Sequence, residues 1–175
     1  MGWSNEYLVL LEAKQEPKSF LEDFHKNLES INIKLENEDG AFIVYNESQQ
    51  GEEKEVSYIN NPQSVSDIIA SLYLWAPLGL LSYRHSEFCF ALTINYLTWD
   101  DNKLDGFVIG FNGHEAEWKI ESIYKLVTQI AGLVDYKYTV GDIDRTSKTW
   151  IDLEQPLFKI IKEIETTKFT LDLRR

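Results

Sequence analysis

The chain has 175 residues, is 43% hydrophobic and 13% aromatic, and carries a formal net charge of −12. This length and apolar content specify one folded domain, 1–175, with a core of its own, and exclude a disordered chain. The single cysteine, Cys89, excludes an intrachain disulfide and a Cys-rich zinc site, and the acidic balance opposes a nucleic-acid backbone or an anionic membrane as partner.

The start, MGWSNEYLVLLEA, lacks a basic n-region, and the longest apolar stretch, 68–81, is too short to span a bilayer and contains Pro77 and Gly79. The expectation is a cytoplasmic protein without a membrane span. Residues 6–13 form a short apolar run that reads as a buried strand ending at Glu16-Pro17. Ser19 and Glu22 have capping-box spacing, and Phe20, Leu21, Phe24, Leu28 and Ile31 mark one helical face, so a helix is predicted at about 18–30. Ile33 and Leu35 alternate with polar residues, 37–40 is a turn, and 41–45 is a returning strand. The polar, acidic stretch 46–55 reads as an exposed loop, 56–59 as a third strand, and 64–76 as a second helix stopping before Pro77. Residues 77–87 read as an irregular connection packed on the body.

The stretch 88–135 carries the clearest pattern. Phe88, Phe90, Leu92, Ile94, Tyr96 and Thr98 fall on one face of a strand, and Cys89, Ala91, Thr93, Asn95 and Leu97 on the other. A polar connection ending in Asp105-Gly106 leads into a second strand, 107–111, and then into an amphipathic helix. That helix has Glu115 and Glu117 in its first turn and Trp118, Ile123, Val127 and Ile130 on its apolar face. Residues 136–140 read as a strand, 141–147 as a polar loop, 154–165 as a helix with Pro156 in its first turn, and 169–173 as an edge strand. Hairpins dominate over βαβ alternation, which predicts an α+β fold: a mostly antiparallel sheet with about four helices packed on it.

Catalytic patterns are weak. His25, His85 and His114 lack metal-ligand spacing. Residues 101–112 superficially match a calcium loop but place Lys103 and Asn112 where oxygen-rich ligands belong. Gly106, Gly110 and Gly113 lead to Glu115 and Glu117, which would repel a phosphate. Asp142 and Asp144 fit an ordinary polar loop better than a chelate. No cofactor and no catalytic residue is assigned.

Charge is the remaining signal. Residues 1–100 hold 16 acidic and 6 basic side chains, against 13 and 11 in 101–175. This favours a non-catalytic protein-binding role toward a basic protein partner, such as a toxin domain neutralised by an immunity or inhibitor protein. The nominated surface is Glu36, Glu38, Asp39, Glu47, Glu52, Glu53 and Glu55, with Trp99, Asp100 and Asp101 as a second patch. The alternatives are a structural or assembly subunit, a homodimer through a strand edge or the 78–83 patch, or a small-ligand or enzymatic domain whose pocket would draw on Arg84, His85, Tyr96 or His114.

Overall fold

The computed structural model describes residues 4–35, 42–46, 56–59, 66, 69, 79–87, 91–112 and 120–175. They build one antiparallel sheet with helices on it, an α+β architecture. The strands are β1 (Ser4–Gln15), β2 (Ile33–Lys34), β3 (Phe42–Asn46), β4 (Val56–Ile59), β5 (Gly79–His85), β6 (Ala91–Leu97), β7 (Leu104–Asn112), β8 (Tyr136–Gly141) and β9 (Leu171–Arg174). The helices are α1 (Pro17–Ser30), α2 (Ile120–Ala131) and α3 (Leu157–Thr166). The strand order is β4-β3-β5-β6-β7-β1-β8-β9, with β2 also paired to β5. The number of helices is therefore three among the described residues rather than about four, because most of the helix expected at 64–76 lies outside them.

β7 sits near the middle and is buried along its length, from Leu104 to Phe111. Its alternate side chains feed two cores. Phe107, Ile109 and Phe111 join Tyr7, Val9, Leu92, Ile94 and Tyr96 beneath α1 and α2. Val108 joins Leu8, Leu10, Leu97, Tyr138 and Val140 on the opposite face, closed by Ile143, Ile151, Ile160, Ile164 and Phe169. Period-2 alternation decides which residue enters which core. β1 accommodates the mismatch at its far end with a register shift between Leu10 and Gln15.

Two local readings are corrected. The cap of α1 is Glu16, whose carboxylate accepts from Lys18 N and Ser19 N, with Pro17 at the first helical position; Ser19 is one turn too late. The 79–85 stretch is a strand, not an irregular connection. Leu81, Tyr83 and His85 are buried while Leu80 and Ser82 are half-buried and Arg84 is exposed. β6 pairs one of its edges, and β3 and β2 pair it as well. Leu81 and Tyr83 are thus core residues; of the 78–83 patch, Leu80 is half-buried and Leu78 lies outside the described residues.

Glycine is required where β7 passes its neighbours. A Cβ on Gly106 would land on the Val9 carbonyl oxygen and lie 3.2 Å from Leu10 Cα, both backbone. A Cβ on Gly110 would lie 2.6 Å from Thr93 Oγ1, a side chain. Gly106→Ala should cost about 3 kcal/mol and Gly110→Ala about 1–2 kcal/mol, because only a side chain can yield. In denaturant unfolding, Thr93→Ala should rescue Gly110→Ala and leave Gly106→Ala unrescued. Equal rescue of both would contradict this packing.

Candidate functional site: an acidic cleft on the open sheet face

Of the sequence-nominated residues, Glu36, Glu38, Asp39, Glu47, Glu52, Glu53 and Glu55 lie outside the described residues, as do His114 and Trp118. Trp99, Asp100 and Asp101 are brought together in the β6–β7 connection. Trp99 is half-buried and structural: its indole N–H donates to the Leu153 carbonyl at 3.1 Å, and its backbone N–H donates to Asp105 Oδ2 at 3.0 Å. Asp105 and Gly106 belong to β7 rather than to the turn, since Asp105 closes the turn from the strand side. Burial holds the Asp105 carboxyl above its usual range. Asp100 and Asp101 are exposed, and Asp101 bonds Lys103 N at 2.9 Å and pairs with Lys14 Nζ at 3.1 Å, which lowers its pKa.

The histidines divide. His85 is buried, and its Nδ1 accepts from Glu87 N at 3.0 Å. His25, on the buried face of α1, belongs to a hydrogen-bonded chain whose proton positions follow from chemistry. The Leu21 carbonyl only accepts, so His25 Nδ1 donates to it at 2.7 Å. Nε2 is then the acceptor for the Tyr83 hydroxyl at 2.8 Å, and Tyr96 donates to Tyr83 at 2.6 Å. Burial pushes His25 down to about 4 and both tyrosines up. Both ring nitrogens are spent, so His25 serves the core rather than a substrate. Arg84 is exposed, while His85 and Tyr96 are buried. Among the described residues, no group of three or more His, Cys, Asp or Glu is placed to hold a metal ion, and no helix is long and apolar enough to cross a membrane.

The arrangement that pattern reading missed is on the opposite face. Among the described residues the cover there is incomplete, and Leu80, Thr93 and Asn95 of β5 and β6 are only half-buried. A cleft of about 510 Å³ remains, floored by Leu80, Thr93, Asn95, Val108 and Gly110 and walled by 144–145 and 150–154. Its ionisable lining is Glu6, Asp144, Asp152 and Glu154 against Arg145. The wall is held by short-range bonds. Asp142 Oδ1 accepts from Glu6 N and Asp144 N, both at 2.9 Å, and Thr149 Oγ1 donates to the Asp142 carbonyl at 2.6 Å. Asp142 is therefore a clip between β1 and the loop, and burial raises its pKa. Asp144 Oδ2 accepts from Thr146 N at 3.0 Å. Trp150, at the rim, is 49% exposed. The signal in the sequence was the alternation of Trp150, Asp152 and Glu154 with Ile151 and Leu153.

No family model matches the chain, and neither a curated protein nor a solved structure does.

The His25 chain makes stability depend on pH. The folded-state pKa lies below the ordinary 6.5, so its contribution is complete above pH 6.5 and is lost as pH falls toward 4. Relative to His25→Gln, which keeps one donor and one acceptor, the wild-type chain should lose about 3 kcal/mol between pH 7 and 4. Parallel pH profiles of the two unfolding free energies would contradict the assignment.

Proposed function

We propose that this is an acidic, non-catalytic protein-binding domain whose partner is a basic protein, and that it acts by occluding that partner, as an immunity or inhibitor protein does for a bacterial toxin. The observation that supports this most is the cleft, where Glu6, Asp144, Asp152 and Glu154 meet Arg145 beside a Trp150 that is half in solvent. A large aromatic ring supplies contact area at little entropic cost, and carboxylates around it steer a cationic surface in and fix its register. Asp100 and Asp101 add exposed negative charge elsewhere on the domain. The buried polar groups do not compete with this reading, because the hydrogen bonds of His25, Tyr83 and Tyr96 are spent on one another and on α1.

Affinity capture from extracts of the source cells tests it, with wild type compared with a Trp150→Ala, Asp152→Lys, Glu154→Lys variant whose fold is checked by circular dichroism. The expected result is a basic protein retained by the wild type, released by rising salt, and bound at least about tenfold more weakly by the variant. Identical sets of proteins on both baits, or an acidic partner, would overturn the proposal.

A further inference from the structure

We infer that the cleft is a guanidinium clamp: it takes an arginine side chain from an extended basic segment of the partner, with Trp150 as the stacking surface and Asp152 and Glu154 as acceptors. This rests on the preceding reading of a basic partner and adds which cation is selected and where.

The wall is built for such a task. Along 150–154 burial alternates: Ile151 is 4% exposed and packs into the second core with Leu153, while Trp150, Asp152 and Glu154 are exposed. All three line the same cleft, on a segment that is anchored from beneath and turns at 153–154. The anchors are independent of any ligand. Leu153 O accepts from the Trp99 indole, Ile151 N donates to Ile143 O at 3.4 Å, and Asp152 Oδ1 accepts from Glu154 N at 3.0 Å. Preorganised acceptors lose little entropy on binding. The floor is low because Gly110 has no side chain and Thr93 and Asn95 are short.

Charge complementarity calls for a cation, and the indole decides which one. A guanidinium is planar and weakly hydrated; it stacks on an indole while its edge N–H groups reach carboxylates. An ammonium is compact and strongly hydrated, and does neither as well. At about 510 Å³ the cleft exceeds one arginine side chain and leaves room for the residues flanking it.

Titration calorimetry with octa-arginine, octa-lysine and octa-glutamate peptides tests the inference on wild type, Trp150→Ala, Asp152→Asn/Glu154→Gln and Asp100→Asn/Asp101→Asn. Wild type should bind octa-arginine about threefold more tightly than octa-lysine, and Trp150→Ala should erase that preference. Asp152→Asn/Glu154→Gln should weaken both cationic peptides about tenfold, Asp100→Asn/Asp101→Asn should leave both within about twofold, and octa-glutamate should not bind. Equal affinity for arginine and lysine, or a preference that survives Trp150→Ala, overturns the clamp and leaves the basic-partner reading standing. Binding lost only in the Asp100/Asp101 variant also overturns the clamp and moves the partner surface to the other patch. Failure of both cationic peptides to bind wild type overturns the clamp and counts against the basic-partner reading as well.

Discussion

The structure depends on a strand buried on both faces. β7 presents Phe107, Ile109 and Phe111 to one core and Val108 to another, and each such side chain contributes about 1.5–3 kcal/mol by leaving water. A sheet covered on one side only would forfeit half of that. The chain therefore supplies two covers: α1 and α2 on one face, and the 142–157 segment with α3 on the other. α3 holds its place chiefly through Ile160 and Ile164, both fully buried.

The two covers differ in extent, and that difference separates scaffold from surface. On the α1 face His25, Tyr83 and Tyr96 form an enclosed chain whose donors and acceptors are used in sequence. On the other face, among the described residues, carboxylates and an indole line a cleft beside an anchored wall. Enclosed polar groups specify the fold; the cleft is where the proposed partner would be recognised. Trp99 links the two roles, since its indole pins Leu153 and so sets the position of Trp150, Asp152 and Glu154.

Much of the fold was legible because it is written in local periodicity. The helical spacing of Leu21, Phe24 and Leu28 and the alternation of Leu92, Ile94 and Tyr96 each place a core face without knowledge of the rest of the chain. β5 was misread because Pro77 and Gly79 signal a loop, although Leu81, Tyr83 and His85 do alternate with Leu80, Ser82 and Arg84. The cap of α1 was displaced because a Glu followed by Pro is a less familiar start than Ser with Glu three residues on. Beyond the alternation at 150–154, the cleft was not legible: Glu6, Thr93, Gly110 and Trp150 are separated by most of the chain and meet only through strand order, which alternation within single strands does not encode. The charge excess pointed to a basic partner but not to a place for it.

The proposed binding surface is the cleft between β5–β6 and the 150–154 wall. Amide chemical-shift mapping of the nitrogen-15-labelled chain titrated with octa-arginine tests it most directly. Shifts are expected to concentrate at Thr93, Asn95, Gly110 and 144–154. Shifts confined to α1, or spread evenly over exposed carboxylates including Asp100 and Asp101, would contradict it.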